Sequence, residues 1–90
     1  MASYQILYWQ DIPSQVKAWD DFDETKTELS PRFIEKIDQR AQTLGLTGGD
    51  DYLSHWKWGE TLERPGEAED VAAAVKDELE ADFKGPAKDP

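Results

Sequence analysis

Tyr4-Gln5-Ile6-Leu7-Tyr8-Trp9, followed by Asp11-Ile12-Pro13-Ser14, decides how the rest of the chain is read. The run is aromatic and branched, too short for a stable helix and closed by turn formers, so it reads as a strand entering a turn. Side chains alternate along a strand, which sends Tyr4, Ile6 and Tyr8 to one face and Leu7 and Trp9 to the other. Apolar groups on both faces suit a central strand covered on both sides, or one whose second side awaits a partner.

Reading onward, residues 15–19 make a second strand and Asp20-Asp21-Phe22-Asp23 a turn into a third, 24–29. The polar Thr25, Lys26, Thr27 and Glu28 fit an edge strand that charge protects from pairing with strangers. Ser30-Pro31 is a helix start, with Ser as the expected N-cap and Pro at the first helical position. Phe33, Ile34, Ile37, Ala41 and Leu44 fall on one helical stripe, which Gly45 can close in a left-handed turn. Thr47-Gly48-Gly49-Asp50 opens a shorter helix expected to run through about residue 58, with Asp50 and Asp51 near its positive end and Tyr52, Leu53 and Trp56 inward. After a connector over 59–66, the residues Ala68, Val71, Ala72, Val75, Leu79 and Phe83 mark an acidic amphipathic helix over 67–83. This helix is expected to pack on the sheet and cover the second apolar face of the first strand.

The fold class is therefore α+β, a three-stranded antiparallel meander followed by three helices packed on the sheet. One domain over 1–84 is expected, with 85–90 a disordered tail. Ninety residues allow a single modest core. The formal charge of -10 repels phosphate backbones and anionic lipid headgroups, so nucleic acid and membrane surfaces are not expected partners and a protein with a basic surface is. The C-terminal third is the most acidic, with ten acidic and four basic residues over 59–90 against ten and six over 1–58. Without cysteine there is no thiol nucleophile, disulfide or Cys-ligated metal. The N-terminal residues lack the basic and apolar regions of a secretory signal, and a cytoplasmic protein is the expectation.

Three blocks in order, Tyr8-Trp9-Gln10-Asp11-Ile12-Pro13-Ser14-Gln15-Val16, Leu29 to Asp38 with Ser30-Pro31-Arg32-Phe33-Ile34, and Tyr52-Leu53-Ser54-His55-Trp56, resemble the small bacterial "virulence factor" domain family. The resemblance covers about residues 4–58 and leaves the acidic helix outside. It implies no catalytic residue. It does imply an accessory role in folate- and corrinoid-linked one-carbon metabolism as one alternative.

The residues themselves offer little chemistry. His55 is the one histidine, with Asp51 a turn earlier, and a small enzyme or metal-dependent regulator would have to be built on it. Asp20 to Glu24 begins like a calcium loop, but Thr25 and Lys26 stand where a ligand and a glycine belong. No catalytic, metal or cofactor site is assigned. The aromatic surplus is more informative, because exposed indoles and phenols are favoured at interface hot spots. Trp9, Trp19, Trp56, Trp58 and Tyr8 are the candidate partner-binding residues of a non-catalytic binding module or accessory subunit. The acidic helix leaves two further options open, a homodimer contact and, more remotely, mimicry of a phosphate track.

Overall fold

The computed structural model describes residues 1–46 and 48–83, so the tail expected over 85–90 lies outside the described residues. Within them the elements are β1 (Ala2–Trp9), β2 (Ile12–Trp19), β3 (Glu24–Glu28), α1 (Pro31–Leu44), α2 (Gly49–Leu53), β4 (Trp56–Trp58), β5 (Leu62–Arg64) and α3 (Ala68–Ala81). The strands form one antiparallel sheet in the order β3-β2-β1, and β4 and β5 divide the far edge of β1 between them. β4 sets Trp56 against Trp9 and Trp58 against Leu7, while β5 sets Leu62 against Tyr4 and Arg64 against Ala2. At the junction of the two short strands the Gly59 amide donates to the Ile6 carbonyl at 2.8 Å. A Cβ on Gly59 would stand 3.0 Å from the Tyr8 ring, so a larger residue there must displace the phenol.

The sheet thus has two strands more than the meander read from the sequence, and the second helix stops at Leu53 instead of reaching Trp58. Three-residue strands carry no readable period. What makes them strands is the edge of β1, whose buried amides and carbonyls need partners that the meander alone cannot supply.

A bulge decides which residues face which way. The β1–β2 register slips between Leu7 and Tyr8, leaving Ser14 as an extra residue on β2. Val16 and Ala18 consequently join Ile6 and Tyr4 in the main core, whereas Ile12, four residues before Val16, points to the other side with Trp9. The main core is closed by Leu29, by Phe33 of α1 and by Ala68, Val71, Ala72 and Val75 of α3. A smaller cluster at the hairpin end joins Trp9 and Ile12 to Ile37 and Ala41 of α1, with half-buried Leu46, Tyr52 and Trp56 around it.

The apolar stripe of α3 is therefore buried against the chain's own sheet, on the face that α1 also begins to cover, and not on the second face of β1 as the sequence reading expected. The physical reason lies in β2. Val16 and Ala18 continue the apolar surface of Tyr4 and Ile6, while the other face interposes Gln15 and Lys17. Along α1, Phe33, Ile37 and Ala41 are buried as the stripe requires, but Ile34 and Leu44 are exposed. Gly45 ends the helix at φ 73° and donates its amide to the Gln42 carbonyl at 3.1 Å.

Three carboxylates tie α3 down. At its start Asp20 accepts the Ala68 amide on Oδ2 at 2.9 Å and the Phe22 and Asp23 amides on Oδ1 at 2.8 Å each, capping helix and turn together. Glu78 takes a two-pronged bond from Arg64 of β5 at 2.8 and 2.9 Å. Glu80 accepts the Ser30 amide at 2.7 Å and the Ser30 hydroxyl at 2.8 Å, and Arg32 donates to it at 2.9 Å. Ser30 is thus not the capping acceptor that its position suggested. Its hydroxyl donates to Glu80 of α3, and the Phe33 amide is taken by the Ser30 backbone carbonyl at 3.0 Å instead of by the side chain.

The backbone amides of Ala68, Phe22 and Asp23 hold the Asp20 carboxyl below its usual range, and Arg64 does the same for Glu78. Partial desolvation pushes Glu80 upward, but the bonds from Ser30 and Arg32 together outweigh it and leave the carboxyl low. Because these folded values are depressed, their contribution is complete above the unfolded range of 3.8 to 4.5 and disappears as pH falls through the lower folded values. Urea unfolding as a function of pH is expected to weaken below that range, less steeply in Asp20→Ala and in Glu80→Gln; wild-type slopes in both variants would remove these ties from the account. Ile37→Ala, at a fully buried site, is expected to cost about 2–5 kcal/mol in the same measurement.

Candidate interaction surface

α3 and the start of α1 lie on one face of the sheet, and among the described residues the opposite face is closed only at its hairpin end, where Ile37 and Ala41 of α1 join the Trp9 cluster. Alternation and register place Ser3, Gln5 and Leu7 of β1 on the open part. Their β2 neighbours there are Trp19, Lys17 and Gln15, and β3 and β4 add Glu24, Lys26, Glu28 and Trp58. Lys17 stands at the centre. Its ammonium lies 4.7 Å from the centre of the Trp58 ring and 5.4 Å from that of Trp19, so two indoles from different strands converge on one cation. Such contacts are electrostatically favourable and hold a flexible side chain in one place.

Trp58 remains 38% exposed, Trp19 and Leu7 are half-buried, and Gln5 is fixed by a bond from its amide nitrogen to the Gly59 carbonyl at 3.0 Å. The result is a patch with a rigid backbone and aromatic walls. The ion pairs Arg32–Glu80, Arg40–Asp11 and Arg64–Glu78 all lie off it.

The five residues expected to meet a partner are not brought together. Trp19 and Trp58 share the open face. Trp56, on the same side of β4, is half-buried at its boundary and packs edge-on to Tyr52 at 6.1 Å. Trp9 is completely buried, its indole nitrogen donating to the Tyr52 carbonyl at 2.8 Å, which corrects its assignment to a partner surface. The bulge at Ser14 and the closure of α1 and α2 over the hairpin end account for that burial. Tyr8 points to the helical face, where burial pushes its hydroxyl pKa up and its ring lines a hollow of about 350 Å³ with Phe33, Leu79 and Phe83.

Lys17 and Lys26 were missed in the sequence. The spacing of Lys17 and Trp19 does show that they share a face, but the approach of Trp58 and Lys26 depends on a pairing that no local pattern reveals. Phe22, 91% exposed in the β2–β3 turn, belongs to neither core cluster.

His55 has a structural environment. Its ring packs on Trp9 at 5.2 Å, its carbonyl accepts the Gln10 amide at 3.1 Å, and its Nδ1 lies 3.4 Å from the Gln10 side-chain nitrogen. Gln10, which turns the hairpin at φ 56°, also lies 3.5 Å from Arg40 through its Oε1, and Arg40 pairs with Asp11. The bond from Arg40 holds the Asp11 carboxyl low. The expected partner Asp51 is exposed on α2. Among the described residues no three His, Cys, Asp or Glu side chains are grouped to hold a metal ion, and the Asp20 carboxylate of the rejected calcium loop is occupied by three backbone amides.

A family model described as Virulence factor matches residues 7–86. The resemblance read over about 4–58 stops short of α3, whereas this match runs through it, so the acidic helix is part of the family's domain and not an appendage. No curated protein and no solved structure matches the chain.

The two exposed-face indoles can be checked directly. Trp19→Phe combined with Trp58→Phe is expected to remove most of the acrylamide-quenchable, red-shifted tryptophan emission, and Trp9→Phe to remove almost none. Equal quenching in both variants would contradict the placement of these rings.

Proposed function

The chain belongs to the virulence factor family, and on that premise we propose that it is a non-catalytic protein-binding module, an accessory subunit that docks a protein partner on the open face of its sheet. The observation that carries this reading is the convergence of Trp19 and Trp58 on Lys17 across the part of the sheet face that no described helix covers. Large rigid aromatic side chains give much contact area at little entropic cost, and such residues dominate interface energies.

The surface lends itself to contact more than to reaction. It gathers indoles, amides and an ammonium group at its centre. The imidazole that a small enzyme would need sits against Trp9 and the hairpin turn instead. The partner we propose is basic around its contact. Glu24 and Glu28 border the patch, and the remaining acidic surface of the chain draws positive charge at long range.

Affinity purification of the tagged protein at low ionic strength tests the proposal. A stoichiometric partner should be retained by wild type and by Asp38→Ala, whose exposed site lies on α1. Trp19→Ala and Trp58→Ala should each weaken retention by about 2 kcal/mol, roughly thirtyfold, if they are hot spots. Retention should also fall as salt screens the charged border. Equal retention by all variants, or no stoichiometric partner, would refute the reading.

A further inference from the structure

On the open face Lys17 of β2 stands directly opposite Lys26 of β3. Like charges facing each other across a strand pair are unfavourable. They are also unexpected in a chain with twenty acidic and ten basic residues. Neither lysine forms an ion pair among the described residues, although Glu24 precedes and Glu28 follows Lys26 by two positions on the same face. Those glutamates lie opposite Trp19 and Gln15. The fold therefore sets two lysines opposite each other across a strand pair on its open face, with the Lys17 ammonium held at 4.7 and 5.4 Å from two indole ring centres.

We infer that this pair is the seat for a carboxylate of the partner: a protein segment that places one Asp or Glu side chain across Lys17 and Lys26 and its apolar neighbours against Trp58 and Trp19. The inference deepens the proposed function and rests on the open face being the docking surface. Charge complementarity selects this occupant. A carboxylate relieves the lysine repulsion, and the indoles beside Lys17 exclude water around its ammonium, which strengthens the attraction. Glu24 and Glu28 then face residues flanking that carboxylate, where Lys or Arg fits. A long acidic stretch would meet these two glutamates and the net charge of -10, so a single acidic residue in a basic setting matches best.

The test uses a display library of random eight-residue peptides selected on the folded wild-type protein. Enriched peptides are expected to share one Asp or Glu beside Leu, Phe or Trp, and its replacement by Asn or Gln should weaken binding at least tenfold. Lys17→Gln with Lys26→Gln should weaken binding of the selected peptides by a similar factor. Lys26→Gln alone should raise the Tm of the free protein, by about 2 °C, because it removes repulsion and no packing.

The inference is overturned if the selected peptides lack an acidic residue, if the double lysine variant binds them within twofold of wild type, if Lys26→Gln lowers Tm, or if nothing is enriched. Trp19→Ala with Trp58→Ala separates the two levels. Loss of the peptides in that variant but not in the lysine variant overturns the carboxylate seat alone. Undiminished binding in the tryptophan variant overturns the docking face itself.

Discussion

β1 is the strand on which the rest of the molecule depends. It is hydrogen-bonded on both edges, to β2 on one side and to β4 and β5 on the other, and it carries apolar side chains on both faces. The domain contains only enough helix to cover one of those faces fully. α3 and the start of α1 take the side where Tyr4, Ile6, Val16 and Ala18 make a continuous apolar floor. The other side is left with a covered end at Trp9 and an open field from Leu7 to Trp19. A free two-layer domain with one wet sheet face is common among antiparallel sheets. Here that face is distinguished by two indoles and an ammonium held together at its centre.

The acidity of the chain has two separate uses. Asp20, Glu78 and Glu80 are structural, each engaged by backbone amides, a serine or an arginine, and each fastening α3 to a different element. They secure a helix whose buried contacts are mostly alanine and valine and therefore modest in area. Exposed acids such as Glu69, Asp70 and Asp77 lie on the outer surface of α3, on the far side of the sheet from Lys17. Charge is thus distributed by face, which a net value conceals.

Much of this was legible in the sequence. The three long strands, the Pro31 start and Gly45 stop of α1, and the stripe on α3 all follow from local patterns, because each is fixed within a few residues by backbone chemistry or periodicity. What was not legible depends on distant residues. β4 and β5 exist because β1 has an edge to fill, and the Ser14 bulge separates Ile12 from Val16 despite their even spacing. The Ser30 hydroxyl is drawn off as a donor by a glutamate fifty positions away. The candidate surface was half visible. An aromatic surplus pointed to exposed tryptophans, but choosing Trp19 and Trp58 over Trp9 required knowing which face the helices cover.

The central claim, that the uncovered sheet face is the contact surface, is tested most directly by oxidative footprinting of the protein in native lysate and after isolation. The account requires Trp19 and Trp58 to be oxidised much less in the lysate than in the isolated protein, with Phe22 reacting equally in both. Equal oxidation of the two tryptophans in both states, or protection confined to the outer surface of α3, would contradict it.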